Sequence, residues 1–159
     1  MSEELNDLIA PNAEQFQNSL FASFDAYKET YRYSIENPDK FWAEKAHEYL
    51  LWQHDFNMVN DSDFAEGAIS WFLGGKLNAC ENCVDRHVKT KGDQVAIIWE
   101  ADEPGQEKYI TYKELQREVS RLANVLRHNG IRKGDRIALY MPMIPEAVYA
   151  MLACARIGA

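Results

Sequence analysis

The alternation of β-type and α-type patterns in the second half of the chain is the feature that most restricts its fold. The apolar residues predict a hairpin, a helix, a strand and a second helix, in that order, over residues 95–110, 111–129, 136–141 and 146–157. Strands that alternate with helices are typical of an α/β domain built on a parallel sheet. We therefore expect the beginning of such a sheet in this half of the chain.

The helix over 111–129 has the clearest local signals. Thr111 and Glu114 have the spacing of a capping box, and Gly130 fits a left-handed stop at the C-terminus. Apolar residues recur every three or four positions and predict one face packed in the core. These residues are Leu115, Val119, Leu122, Ala123 and Leu126.

The helix over 146–157 is apolar on nearly every side. Its apolar residues include Val148, Met151 and Leu152. A helix without a polar face is normally covered on several sides, and parallel strands need neighbours on both faces. We expect the sheet that 136–141 begins to be completed by chain beyond Ala159; the alternative is completion by a partner or an oligomer.

The first half of the chain predicts two aromatic helices after an uninformative segment, 1–23. Phe24, Tyr27 and Tyr31 fall on one helical face together with Ile35. Asn37-Pro38 then predicts the start of the second helix. Packing of the aromatic face against another domain is favoured over a role as a ligand platform.

Composition and charge restrict the partners and the cellular compartment that we expect for this chain. The net charge of −8 disfavours nucleic acid and anionic membrane as partners, because both reward a basic surface. No apolar run is long enough to span a bilayer, and the three cysteines are an odd number. We expect a cytoplasmic protein with free thiols, no nucleic-acid partner and no membrane partner.

Two motifs are candidate binding sites. Gly74-Gly75-Lys76 is similar to part of a phosphate loop, but Ser70 and Leu77 stand where that pattern needs Gly and Ser or Thr. Cys80, Cys83 and His87 could begin a zinc site, although no fourth ligand is evident nearby. Core packing of one helical face is favoured for this second motif over zinc binding or redox chemistry.

The acidic residues Glu100, Asp102 and Glu103 flank a predicted turn. They are interpreted as a solvated hairpin tip rather than a general acid–base pair, which would need a pocket. The residues themselves therefore assign no catalytic, cofactor-binding or metal-ligating position.

Several stretches of the chain resemble the acetyl-CoA synthetases, within the wider adenylate-forming superfamily. The resemblance covers about residues 24–159. It rests on 37–44 (NPDKFWAE), 71–72 and 74–78 (WF, GGKLN), 82–87 (NCVDRH), 96–100 (AIIWE), 110–115 (ITYKEL), 133–142 (KGDRIALYMP), 143–146 (MIPE) and 151–159 (MLACARIGA).

The resemblance implies the N-terminal part of an AMP-forming acetate–CoA ligase. It implies a tail at 1–23, a helical acetyl-CoA synthetase segment at 24–82, and at 83–159 the first hairpin-helix-strand-helix units of an incomplete adenylate-forming, parallel-sheet domain. Acetate and ATP would give acetyl-AMP and diphosphate with Mg²⁺, and CoA would then take the acetyl group.

The family's phosphate loop, adenine-binding segment, ribose-binding Asp and catalytic Lys would lie beyond residue 159. The resemblance thus implies an inactive fragment that binds neither ATP nor CoA nor Mg²⁺. A propionyl-CoA synthetase, another short-chain acyl-CoA synthetase and a non-catalytic interaction module remain alternatives.

Overall fold

The computed structural model describes residues 12–17 and 19–159. These residues belong to two compact units, one ending at Ala46 and the other running from His47 to Ala159. None of the helices in this described part combines the length and the apolar content that a bilayer-spanning segment needs.

The first unit is helical. Helix α1 covers Ala13–Gln17 and α2 covers Phe24–Glu36, while α3, Pro38–Tyr49, starts in this unit. The Ser23 hydroxyl caps α2 by accepting a hydrogen bond from the Ala26 N–H. Both predicted aromatic helices are therefore confirmed.

The aromatic face of α2 lies open to solvent within this unit. Phe24 and Tyr27 stack at 6.0 Å between ring centroids, and Tyr27 and Tyr31 at 6.2 Å. Phe24, Tyr31 and Ile35 are more than half exposed. Packing of this face against another domain stays a prediction.

The second unit begins with a short antiparallel hairpin. Strand β1, Met58–Asn60, pairs with β2, Trp71–Leu73, and aligns Met58 with Leu73. Trp52, Phe56 and Phe72 form an aromatic cluster against this hairpin, with ring centroids 5.1–5.7 Å apart.

A π-helical turn, Glu81–Asp85, runs directly into helix α4, Arg86–Lys91. The Arg86 N–H donates to the carbonyl of Glu81, five residues back, so the turn is wider than in an α-helix. The prediction of one regular apolar face here is wrong for Cys83. The wider turn leaves the Cys83 thiol exposed, while Cys80 and Val84 are buried.

The predicted hairpin and capped helix of the second half are confirmed. Strands β3, Val95–Trp99, and β4, Lys108–Thr111, pair antiparallel. Helix α5, Tyr112–His128, follows without a break, and Thr111 and Glu114 make both bonds of the capping box. Helix α6, Pro145–Ile157, ends at Gly158, whose φ of 78° is left-handed.

The core lies where α5 packs on α6, on the β3–β4 hairpin and on the π-helical turn. Helix α6 is covered on one side only: it buries Pro145, Ala150 and Ala153, while Met151 is 55% exposed. The buried residues of this core are Cys80, Val84, Ile110, Leu115, Val119, Ala123 and Ala153.

The strand predicted over 136–141 is not formed. Residues 135–142 have no regular secondary structure, and both sheets of the described residues are two-stranded and antiparallel. A strand exists only through hydrogen bonds to a neighbour, and no described segment pairs with this one. Its Tyr140 side chain is fully exposed. The α/β class is confirmed, but the parallel sheet is absent from the residues described.

Candidate functional site

A polar network centred on Asp85 joins three helical elements of the second unit. Asp85 Oδ1 accepts a hydrogen bond from Gln116 Nε2 on α5 at 2.6 Å. Asp85 Oδ2 accepts one from Arg156 Nη2 on α6 at 2.7 Å. Both side chains of the ion pair are about one quarter exposed, so water screens the pair only in part. The carboxylate thereby links the π-helical turn to both long helices.

The environment of this network keeps Arg156 charged and Cys80 neutral. Burial lowers the pKa of Arg156, but the hydrogen bond to Asp85 and nearby charges outweigh burial and raise it overall. Burial raises the pKa of the fully buried Cys80 thiol. A reactive cysteine needs an accessible thiolate, so Cys80 is a packing residue.

Two asparagine side chains extend the network by binding backbone groups. Asn78 Nδ2 donates to the carbonyls of Ala155 and Arg156 at 3.0 and 3.1 Å, near the end of α6. Asn82 exchanges two bonds with Leu51, accepting from its N–H at 2.7 Å and donating to its carbonyl at 3.0 Å. Their amides are occupied by the main chain, so they position segments rather than a substrate.

The Gly74-Gly75-Lys76 turn has a structural use. Gly74 has a φ of 80°, which favours glycine, and a Cβ on Gly75 would lie 2.6 Å from Trp52 Cζ3. The Gly75 N–H donates to the carbonyl of Phe72, and the Lys76 N–H to that of His54. The N–H groups of Gly75 and Lys76 are therefore not directed at a phosphate.

The zinc candidates do not converge in the structure. Cys80 is buried, Cys83 is exposed, and the His87 ring lies beside Tyr112 at 5.2 Å between centroids. Within 12–17 and 19–159, no group of three or more His, Cys, Asp or Glu side chains is placed to hold a metal ion. The acidic residues Glu100, Asp102 and Glu103 are exposed in the segment between β3 and β4.

An open cleft, which no sequence motif indicated, lies where α5 and α6 end. We call it the basic groove. It is lined by Ser120, Ala123, Asn124, Arg127, Ile131, Arg132, Lys133, Arg156 and Ile157. The α5 members fall at intervals of three, four and seven residues, which is one helical face. The sequence spacing places these α5 residues on one face, but it does not show that this face lies beside residues 131–133 and α6.

Sequence comparisons match the whole of the described second unit. Residues 27–83 match the family described as acetyl-coenzyme A synthetase N-terminus, and 84–159 match the AMP-binding enzyme family. The boundary between the two matches falls inside the π-helical turn, between two residues of one structural element.

Individual relatives give the same result. Acetyl-coenzyme A synthetase 2 of Pseudomonas aeruginosa is 48% identical over 95% of this chain, and the acetyl-coenzyme A synthetase of Saccharophagus degradans is 55% identical over 95%. The chain spans 23% of the length of each. An acetoacetyl-CoA synthetase from Streptomyces lividans has the same fold, with a TM-score of 0.74 and 32% identity over 92% of this chain and 22% of its own.

Proposed function

Because the chain belongs to the acetyl-coenzyme A synthetase family of AMP-binding enzymes, we propose that it is part of an acetate–CoA ligase. The whole enzyme would convert acetate, ATP and CoA into acetyl-CoA, AMP and diphosphate. The observation that carries this proposal is identity at about half of all positions over 95% of the chain. We propose the cytoplasm as its location.

The proposed reaction has two steps. A carboxylate oxygen of acetate attacks the α-phosphorus of ATP, and the bond to diphosphate breaks. The CoA sulfur then attacks the acetyl carbonyl of the adenylate, and AMP leaves. Mg²⁺ would offset the phosphate charge in the first step. The described residues hold neither a cluster of metal ligands nor a backbone cradle for phosphate at the Gly-Gly turn, so no step is assigned to a residue of this chain.

We propose a supporting role for this chain within that enzyme. Residues 24–82 would form the family's N-terminal helical segment and 83–159 the start of its AMP-binding domain, after a tail at 1–23. The bonds of Asn78 to the carbonyls of Ala155 and Arg156 cross that boundary. The bonds between Asn82 and Leu51 and the Asp85–Arg156 pair lie on either side of it. They support a role in holding the AMP-binding domain in position.

A chimaera tests the proposal. The chain replaces the matching segment of the Pseudomonas aeruginosa enzyme, and acetate-dependent exchange between ATP and labelled diphosphate is measured. We expect exchange by the chimaera and none by the 159-residue chain alone. A folded chimaera without exchange, beside an active parent enzyme, would contradict the proposed function. Exchange by the isolated chain would contradict the supporting role.

The acyl group is tested in the same assay. Propionate and acetoacetate replace acetate at equal concentration, because the likeness to an acetoacetyl-CoA synthetase makes longer acids the relevant competitors. We propose acetate as the preferred acid. A higher kcat/KM for propionate or acetoacetate, in a chimaera whose parent prefers acetate, would assign this chain to another acyl-CoA synthetase.

A further inference from the structure

The basic groove concentrates positive charge on a chain whose net charge is −8. Four of its lining side chains are cations, namely Arg127, Arg132, Lys133 and Arg156, and none is a carboxylate. We propose that this groove binds a small phosphate-bearing anion. The proposal does not rest on the acetate–CoA ligase function.

Two of the four cations are already engaged. Arg156 is paired with Asp85 at 2.7 Å. Arg132 Nη1 donates to the carbonyls of Arg127 and Ile131 at 3.0 and 2.9 Å, at the end of α5. Over 12–17 and 19–159, no carboxylate forms an ion pair with Arg127 or Lys133. These two side chains are therefore available to a ligand.

A simpler explanation for the cations is compensation of helix dipoles. Helices α5 and α6 both end at the groove, and each C-terminus carries a partial charge of about −0.5. Backbone N–H groups already cap part of this charge, since Ile131 donates to the carbonyl of Leu126 and Ala159 to that of Cys154. Arg132 offsets most of the remainder.

Beside the groove, the Asp135 carboxylate accepts a hydrogen bond from the Arg132 N–H at 2.7 Å and offsets about one further charge. A surplus of about one positive charge then remains on Arg127 and Lys133, and it attracts a phosphate-type anion. Arginine and lysine are the side chains that bind phosphate most often, through the guanidinium fork and the ammonium charge. The Ser120 and Asn124 side chains add neutral hydrogen-bond partners to the same groove.

Isothermal titration of the 159-residue chain with inorganic diphosphate tests the proposal. The groove variant carries Arg127→Gln with Lys133→Gln. The matched control carries Arg121→Gln with Lys89→Gln, two exposed cations outside the groove, so both variants have the same net charge. We expect the groove variant to bind at least about ten-fold more weakly, and the control to stay within about three-fold of the native chain.

Two outcomes would overturn the proposal in this experiment. One is the absence of heat of binding up to millimolar diphosphate, and the other is equal weakening in both variants, which would show only the effect of overall charge. Succinate serves as a dianion without phosphorus, and we expect it to bind at least about ten-fold more weakly than diphosphate. Equal affinity of the groove for succinate and diphosphate would show that the groove does not select a phosphate group.

A measurement on the native chain covers the case in which the groove variant fails to fold. Gly130, Gly134 and Gly158 lie in the segments that border the groove, and their amide resonances report directly on it. Diphosphate is expected to shift these resonances, and to leave that of Gly105, in the β3–β4 turn, unchanged. A shift at Gly105 with none at the other three would place any binding elsewhere and overturn the proposal.

Discussion

Arg156 Nη2 lies 2.7 Å from Asp85 Oδ2, so the end of α6 is held to the π-helical turn by an ion pair across 71 residues of sequence. Asp85 and Arg156 both belong to the part that matches the AMP-binding enzymes, and Asn78 of the N-terminal match donates to the carbonyls of Ala155 and Arg156. The compact unit begins much earlier, at His47. Residues 47–83 of the N-terminal match and all of the AMP-binding match therefore lie within one structural unit and are not separated by a linker.

Replacing Asp85 by Asn should destabilise the second unit by about 1–3 kcal/mol, because a half-buried guanidinium loses its counter-charge. Arg156 Nε already has no acceptor among the described residues, which makes the loss of the Nη2 bond harder to compensate. Urea unfolding of Asp85→Asn, Arg156→Gln and the double variant measures the coupling free energy between the two side chains. Additive losses of unfolding free energy would show that the ion pair does not contribute to stability.

Val119→Ala should lower the free energy of unfolding by about 1.5–3 kcal/mol, because Val119 is fully buried and its two methyl groups leave a cavity. Val125→Ala is the matched control on the same helix, since Val125 is 53% exposed. We expect it to change stability by no more than about 0.5 kcal/mol. Similar losses for both variants would mean that α5 does not face the core as described.

Gly75→Ala should displace Trp52, because the new Cβ would lie 2.6 Å from Cζ3 and 3.0 Å from the Phe72 carbonyl oxygen. We expect a loss of about 1–3 kcal/mol together with a change in the near-ultraviolet circular dichroism of the aromatic cluster. Gly105→Ala is the control, since Gly105 has a φ of 82° with no atom within 4 Å of the added Cβ. It should show only the backbone strain of about 1 kcal/mol and an unchanged aromatic signal.

The pKa of Asp55 should be below its ordinary value of 3.8, chiefly because His47 Nε2 donates to its carboxylate at 2.9 Å. A depressed folded-state pKa stabilises the fold above the unfolded value. This contribution is therefore present above pH 3.8 and is lost as the pH falls through the folded pKa. Carboxyl-carbon NMR titration measures the pKa directly.

His47→Phe keeps a ring against Phe56 and removes the donor, so the Asp55 pKa should rise toward 3.8. His54→Phe is the comparison, because His54 Nδ1 binds the backbone carbonyl of Asp55 at 2.8 Å and affects the carboxylate only through its charge, the smallest cause of the shift. We expect the larger change for His47→Phe. An Asp55 pKa that is the same in both variants would refute the assignment to the hydrogen bond.

Local signals predicted most of the secondary structure. Thr111, Glu114 and Gly130 sit next to the groups that they cap, so their positions follow from spacing alone. The prediction of a strand over 136–141 was wrong because a strand depends on a pairing partner, which can be distant in sequence, and not on local spacing alone. The prediction that Cys83 faces the core was wrong because the π-helical turn changes which side of the helix faces inward. No local sequence pattern indicated that turn.

The sequence by itself determined the α/β class, the capped helix α5, the β3–β4 hairpin and the family, because these depend on short-range spacing and on residue identity along the chain. Only the tertiary structure decided that Asp85 meets Gln116 and Arg156, and that Arg127 and Lys133 share one groove. The physical reason is that charge pairing and burial act through space. Residues far apart in sequence acquire a common environment only when α5 and α6 pack together.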